Sequence, residues 1–255
     1  MLCVLHHVPS MLDILYRDEQ LVAIHKPAGL LVHRSNLDRH ETRFAVQLLR
    51  DQLGRHVFPL HRLDKGTSGV LLFALDAATA RSVGAQFEAN AVAKRYLAVV
   101  RGWPAEAGTI DHALARQFDD YGRKYPADSP ERAAAALPAV TEFRRLATAE
   151  LAVAVDRYPL TRYALVELRP QTGRQHQLRR HLKHIAHPII GDATYGKGVH
   201  NRFFQQRFGC SRLLLACTRL EIVHPGDGRT LAIAAPPEDS FAQVLRALGW
   251  TSHIS

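Results

Sequence analysis

The sequence predicts a fold that combines β-strands with α-helices, and three successive stretches of the chain indicate this. Residues 70–75 read VLLFAL, an apolar run continuous enough for a strand that is buried on both faces. Residues 77–89 carry apolar side chains at helical spacing behind Asp76, a residue suited to capping a helix N-terminus. Residues 94–102 return to a strand pattern, so both kinds of element occur along one chain.

The composition indicates a folded protein with a polyanionic partner. Of the 255 residues, 47% are hydrophobic and 22% are charged, and 33 Lys and Arg against 24 Asp and Glu give a net charge of +9. This excess of cations favours nucleic acid as the partner. The three cysteines form no C-x-x-C pair, which argues against a disulfide framework or a zinc ribbon. With no run of 18 apolar residues and no signal peptide pattern, a cytoplasmic protein without membrane contact is expected.

The N-terminal part of the chain predicts an extension, a hairpin and a turn. Residues 1–11 differ in character from the rest of the chain, so they are expected to be an extension, with Met11 as an alternative start of translation. Short apolar segments at 14–16 and 21–24 predict a β-hairpin. Lys-Pro-Ala-Gly at 26–29 predicts a turn. A helical stripe covers residues 41–53, and Gly54 is its expected stop.

Asp64 is the candidate nucleophile, because it lies on a polar loop that leads into the buried strand at 70–75. His61, Arg62 and Lys65 are close to it in the chain, and cationic neighbours hold a carboxylate ionised. Loops on rigid scaffolds commonly carry catalytic groups. An Asp ahead of Gly-Thr-Ser-Gly also suits a plain turn, since turns select Asp, Ser and Gly. Spacing alone leaves both interpretations open.

The segment from 105 to 138 predicts a surface insertion, because Gly, Pro, Asp and Ser interrupt it repeatedly. Its cations Arg116, Arg123 and Lys124 are interpreted as solvated charges, with substrate contact as the alternative. Beyond the insertion, patterns predict strands at 140–143, 163–168, 213–216 and 220–223, and a closing helix at 241–248.

Positive charge is most concentrated in residues 157–183, where seven Lys or Arg stand against one Glu. If the end of this segment is a helix, Arg180 and Lys183 point away from its apolar stripe. Arg179 lies at the edge of that stripe, and a half-buried arginine needs an anion. Asp64 is the candidate for that anion. Histidines recur here, but no H-E-x-x-H pattern accompanies them, so no metal site is predicted.

Three motifs, in this order, resemble those of the RluA-type pseudouridine synthases. Residues 61–69, HRLDKGTSG, are similar to the family pattern H-R-L-D-x-x-T-S-G. Residues 94–102, KRYLAVVRG, are similar to K-x-Y-x-A-x-V-x-G. Residues 172–181, TGRQHQLRRH, with HPIIGD at 187–192, are similar to the family's T-G-R-x-H-Q-[IL]-R-x-H helix and its H-P-I-x-G-D continuation. The resemblance implies a catalytic domain over residues 12–250.

The resemblance implies an α+β fold, with a long mixed and mainly antiparallel sheet in two lobes, flanking helices and a central cleft that holds the active site. It implies conversion of a uridine in RNA into pseudouridine, which neither adds nor removes atoms and so requires no cofactor or metal. Residues 31–35 and 159–163, LVHRS and PLTRY, resemble a tRNA-acting subgroup, which implies the uridine at position 65 of tRNA. A ribosomal RNA uridine is the alternative target, and a monomer is expected.

The resemblance also implies roles for single residues. Asp64 would act as nucleophile or base, at the sugar or at the base ring, on a uridine that is flipped out of its helix. Tyr96 would stack on the flipped base and accept the C5 proton, although by itself it suits an ordinary strand tyrosine. Arg179 would pair with Asp64, and Arg62 would fill the vacated space in the RNA. The implied RNA-binding residues are Arg62, Lys94, Arg174, His176, Arg180 and Lys183.

Two other classes of protein are alternatives to this interpretation. A catalytically silent RNA-binding module explains the charge but gives no reason for Asp64 in so cationic a neighbourhood. A glycoside hydrolase would also use a carboxylate, but it ordinarily needs a second one as the acid, and the three motifs supply none.

Overall fold

The structure is a computed structural model that describes residues 11–33, 42–115 and 136–254. The chain forms two compact units. The first comprises Met1–Val92 and Ala216–Glu238, and the second comprises Ala93–Leu215 and Asp239–Ser255.

Strands and helices occur in both units, which confirms the predicted α+β class. The strands of the described residues are β1 (Asp13–Arg17), β2 (Leu21–Lys26), β3 (Phe58–Pro59), β4 (Ser68–Ala74), β5 (Ala93–Arg101), β6 (Ala107–Asp111), β7 (Leu114–Ala115), β8 (Ala136–Leu137), β9 (Val140–Leu151), β10 (Thr161–Pro170), β11 (Leu215–Val223) and β12 (Thr230–Ala234). The helices there are α1 (Ala45–Leu53), α2 (Ala77–Glu88), α3 (Gln177–His184), α4 (Gly198–Phe208) and α5 (Asp239–Ala247), followed by a 3₁₀-helix at Thr251–His253.

The first unit is built on β4, the apolar run predicted as a buried strand. All seven of its residues are buried, and neighbouring strands pair with both of its edges. Strand β2 pairs with it antiparallel and β11 pairs with it parallel, which makes the sheet mixed. The parallel neighbour approaches so closely that a Cβ at Gly69 would overlap the backbone carbonyl of Cys217, and Gly69 has a φ of +108°. Only glycine fits this position.

The hairpin and both helices predicted for the first unit are confirmed. Strands β1 and β2 pair antiparallel. Helix α1 ends at Gly54, whose φ of 65° is the left-handed conformation expected of a stop. Helix α2 begins behind Asp76, whose carboxylate accepts hydrogen bonds from the Thr79 backbone N–H at 2.8 Å and from its hydroxyl at 2.7 Å.

The second unit contains an antiparallel sheet in which β10 lies between β5 and β9, and β6 pairs with the far edge of β9. The centre of β10 is fully buried at Tyr163, Ala164, Leu165 and Val166. The predicted strand is confirmed, but these consecutive residues are buried on both faces, whereas alternation predicts burial of one face. Helix α3 confirms the helix predicted in the basic segment.

Three features differ from the sequence-based expectations. The two strands predicted at 213–216 and 220–223 are one strand, β11, because Thr218 and Arg219 continue the strand instead of forming a turn. Helix α4 lies where no helix is predicted. Strands β6, β7 and β8 lie within the expected irregular insertion, so its two ends are ordered.

Some predicted features fall outside the described residues. These are Met1–Ser10 of the extension and, within the insertion, Arg116, Arg123 and Lys124. The central cleft between two lobes stays a prediction.

Candidate active site

The loop that carries Asp64 is held from both sides by neighbouring elements of the first unit. His61 accepts a hydrogen bond at its Nε2 from the Leu72 backbone N–H at 3.1 Å, and its ring stacks on Phe87 of α2. Leu63 is buried, whereas Asp64 is half-buried and Arg62 is exposed. The backbone carbonyl of Asp64 accepts from the Thr67 N–H at 3.0 Å and closes a turn before β4. The turn is therefore closed by the backbone of Asp64, and this hydrogen bond does not involve its carboxylate.

Lys26 joins a second turn to this loop, a role that is not predicted from the sequence. Its fully buried ammonium donates hydrogen bonds to the carbonyls of Pro27 at 2.8 Å, Leu30 at 2.7 Å and Lys65 at 3.2 Å. The Lys65 carbonyl also accepts from the Gly29 N–H at 2.8 Å. Since an ammonium has three N–H donors, three carbonyls satisfy it. Lys26 thereby fixes the backbone next to Asp64. The sequence signal from which this role could have been found was the Lys-Pro-x-Gly pattern at residues 26–29.

Tyr96 and Lys94 lie near the start of β5 in the second unit. Tyr96 is 9% exposed, and its backbone is opposite Leu168 of β10 in the antiparallel register. Lys94 is half-buried two residues earlier, on the same face of the strand. The sheet therefore holds the backbone of Tyr96 rigidly.

The carboxylate that binds Arg179 in the second unit is Asp192, a partner that is not predicted from the sequence. Arg179 donates from Nε to Oδ2 at 2.7 Å and from Nη2 to Oδ1 at 2.9 Å, a bidentate pair. The Asp192 side chain is 1% exposed and that of Arg179 is 11% exposed. The only sequence signal for this pair was the final Asp of the HPIIGD stretch. Whether Arg179 also pairs with Asp64, which belongs to the first unit, stays a prediction.

Asp192 is ionised despite its burial. Burial by itself raises the pKa of this carboxyl group, but the hydrogen bonds from Arg179 and from the backbone N–H groups of Thr194 and Tyr195 outweigh it. The pKa of Asp192 is therefore held below its ordinary value. A carboxylate with four such donors orients the guanidinium of Arg179 firmly.

Tyr195 brings Arg179, a predicted catalytic residue, together with two predicted RNA-binding residues. Its ring lies 5.1 Å from the guanidinium carbon of Arg179 and 5.8 Å from the ammonium of Lys183, both within cation–π range. Its hydroxyl lies 3.1 Å from Nδ1 of His176. Lys183 is exposed on the outer face of α3, as predicted.

Two of the predicted RNA-binding arginines also hold the ends of the insertion. Arg180 is half-buried and donates from Nη1 to the Ala115 carbonyl at 3.0 Å. Arg174 donates from Nε to the Pro138 carbonyl at 3.0 Å. Their contact with RNA stays a prediction, and the structure adds a structural role to each.

The described residues contain no group of three or more His, Cys, Asp or Glu side chains arranged to hold a metal ion. The buried His181 illustrates this, because it contacts the Thr141 hydroxyl through Nδ1 at 2.9 Å and the His112 carbonyl through Nε2 at 3.0 Å. Among the helices in the described part of the chain, none combines the length and apolar character needed to cross a membrane.

Comparison with known proteins gives a consistent result. The family model described as RNA pseudouridylate synthase matches residues 20–184. A tRNA pseudouridine synthase C of Vibrio cholerae serotype O1 is 48% identical over 244 residues, covering 96% of this chain and 98% of the relative. Another, of Salmonella typhi, is 50% identical over 240 residues, covering 94% of this chain and 91% of the relative. The solved structure of human RNA Pseudouridylate Synthase Domain Containing 1 has a TM-score of 0.68 at 26% identity, covering 94% of this chain and 95% of that one.

Proposed function

Because the chain belongs to the RNA pseudouridylate synthase family and is a pseudouridine synthase, we propose that its substrate is tRNA and its target the uridine at position 65. The observation that carries the substrate is the near full-length similarity to relatives named tRNA pseudouridine synthase C. The net charge of +9 suits a polyanionic substrate. A tRNA-modifying enzyme works where tRNA is made and used, so we place it in the cytoplasm.

The proposed mechanism starts from Asp64. Its loop is fixed by Lys26 and His61, which suits a group that must meet one atom of the substrate. Asp64 acts at the sugar or base ring of the flipped uridine and detaches the base, which rotates and rejoins the ribose through C5. Tyr96 stacks on that base, and its hydroxyl takes the C5 proton and passes its own proton to solvent. N1, which has lost its bond to the ribose, gains a proton from solvent, so no atom is added or removed overall. Arg179, oriented by Asp192, pairs with Asp64, and Arg62 fills the space that the base has left.

Incubating the protein with an unmodified tRNA transcript and mapping pseudouridine by carbodiimide-dependent primer extension tests the proposal. A single stop that marks position 65 is the expected result. A stop at another tRNA uridine would refute the position, and modification of ribosomal RNA alone would refute the tRNA assignment. Bound but unmodified RNA would favour a silent binding protein, and release of free base would indicate glycosidase chemistry.

Tyr96→Phe is expected to leave tRNA binding unchanged and to slow product formation at least about a hundredfold, the usual size of a general acid–base contribution. The ring that stacks is kept, and only the hydroxyl that accepts the proton is removed. Single-turnover assays at saturating protein measure this step. Tyr16→Phe is the matched control, because the Tyr16 hydroxyl bonds to Asp18 in the first hairpin, outside the three motifs. Near-normal rates for Tyr96→Phe would reduce Tyr96 to a stacking surface.

Lys183→Ala is expected to weaken tRNA binding modestly and to reduce the salt dependence of the binding constant by about one unit of log–log slope. Lys183 is exposed and contacts the edge of the site through Tyr195, so turnover at saturating tRNA survives. Arg180→Ala is a less clean test, since it also removes the hydrogen bond to Ala115. Titrations at several salt concentrations, with the exposed Arg229→Ala as control, measure the slope. An unchanged slope would exclude a phosphate contact by Lys183.

A further inference from the structure

A pocket of about 430 Å³ lies in the second unit, at the connection between β9 and β10. Asp156, residues 158–162, the end of β5 and His200 of α4 supply most of its wall, which is mainly apolar. Its volume is within the range of sites that bind small organic molecules or single nucleotides. Arg101 of this wall is five residues beyond Tyr96 on β5, which corresponds to about 17 Å along the strand. The pocket is therefore separate from the Tyr96 position.

Two side chains of the wall are fixed by hydrogen bonds. Arg101 donates from Nη2 to the Ala186 carbonyl at 3.2 Å, and His200 contacts the Tyr163 hydroxyl at 2.9 Å. The guanidinium of Arg101 is therefore held at the wall of the pocket, where it carries a positive charge.

His200 adds no charge to the wall at neutral pH. Burial, with the nearby cations Arg101 and Lys197, lowers the pKa of His200 to about 4 against the opposing effect of Asp156. The positive charge of the pocket therefore comes from its arginines.

The rim of the pocket provides an aromatic surface. Tyr158 is 60% exposed and Leu160 is 43% exposed, which is unusual for large apolar side chains. The guanidinium of Arg157 lies 5.3 Å from the centre of the Tyr158 ring. Exposed aromatic rings beside cations are the usual means of binding unpaired bases.

The charge of the rim matches a polyanion. Asp156 pairs with Lys197, and Arg162 pairs with Glu150 at 2.6 Å, so these four charges balance. No ion pair within the described residues involves Arg101 or Arg157, which leaves the rim net positive. Since RNA is the substrate of this family, a nucleotide of that RNA is the occupant that fits the volume, the exposed aromatic ring and the charge together.

We propose that this pocket binds one unpaired nucleotide of the RNA substrate, distinct from the uridine that reacts. Its base stacks on Tyr158 at the mouth of the pocket, and its phosphate meets the positive charge of Arg101 and Arg157. This inference rests on the proposed function, because it assumes that the substrate is a structured RNA with unpaired nucleotides, such as tRNA.

Equilibrium binding to two fluorescently labelled RNAs tests the pocket. One is the full tRNA transcript, and the other is a blunt duplex of the target stem without unpaired nucleotides. Tyr158→Ala and Arg101→Met are expected to weaken tRNA binding at least about fivefold, the lower end for one lost base–aromatic contact, and to leave duplex binding unchanged. Val223→Ala and Arg50→Met, both exposed in the first unit, are matched controls expected to change neither.

Unchanged tRNA binding by Tyr158→Ala would refute the proposed nucleotide pocket. An equal loss of affinity for both RNAs would also refute it, because it would indicate nonspecific attraction between the protein and the RNA charge. Tyr158 is exposed, so its replacement is not expected to destabilise the fold. Tyr158→Ala therefore tests the pocket even if Arg101→Met lowers the stability of the protein. The binding assay needs no turnover. Wild-type protein that binds tRNA without modifying it would refute the proposed substrate, while the comparison of the two RNAs still decides the pocket.

Discussion

Asp64→Asn is expected to lower isomerisation of tRNA below about one per cent of the wild-type rate while tRNA affinity stays within several fold. An amide has nearly the shape of the carboxylate but cannot act as the nucleophile or base. The phosphate contacts that determine affinity lie elsewhere. Single-turnover formation of pseudouridine, with anisotropy titrations of the same RNA, measures both quantities.

This substitution also separates the two interpretations of Asp64. The turn before β4 uses the backbone carbonyl of Asp64, and Asn is as suitable in turns as Asp. If Asp64 only organised the turn, Asp64→Asn would retain most of the activity. Residual turnover above about one per cent would therefore count against the catalytic assignment. Asp51→Asn, on the exposed surface of α1, is the control for removing a carboxylate charge.

Arg179→Met is expected to lower the free energy of unfolding by about 3–5 kcal/mol and to stop single-turnover chemistry even with tRNA fully bound. The Asp192 side chain is only 1% exposed, so losing the bidentate Arg179 leaves a buried carboxylate without its main partner. Denaturant unfolding measures the stability. Normal single-turnover rates with only a salt-sensitive loss of affinity would instead assign Arg179 to the phosphate-binding residues.

The double variant Arg179→Met with Asp192→Asn separates stability from chemistry. The asparagine side chain keeps an acceptor for the N–H groups of Thr194 and Tyr195 but carries no charge, so the double variant is expected to regain much of the lost stability. It is not expected to regain turnover, because the guanidinium is still absent. Recovery of both would show that Arg179 acts on stability alone.

The pH dependence of unfolding gives an independent test of the same pair. The pKa of Asp192 is lowered in the folded protein, so the pair contributes stability that is fully present above the unfolded pKa, near 4. That contribution is lost as pH falls through the lower folded value. In Arg179→Met the hydrogen bond and the charge that lower the pKa of Asp192 are removed, so the loss of unfolding free energy at acid pH is expected to be smaller than in the wild type.

The elements that the sequence alone determined depend on residues close together in the chain. The apolar run at 70–75, Asp76 before its helix and Gly54 after the preceding one are local signals, because buried runs, caps and stops are set by neighbouring residues. The three motifs are equally local, and they were enough to identify the family. The candidate residues Asp64 and Tyr96 follow from them.

The tertiary structure alone decided which distant groups meet. Asp192 binds Arg179 from 13 positions away, Lys26 donates to Lys65 across 39, and Arg101 and His200 line one pocket from different elements. That Asp64 also pairs with Arg179 stays a prediction. The sequence contains 24 acidic residues, and a half-buried arginine indicates only that it needs an anion. That Asp192 is one of its partners depends on the path of the backbone after α3, because a bidentate pair forms only where two elements approach to within hydrogen-bond distance.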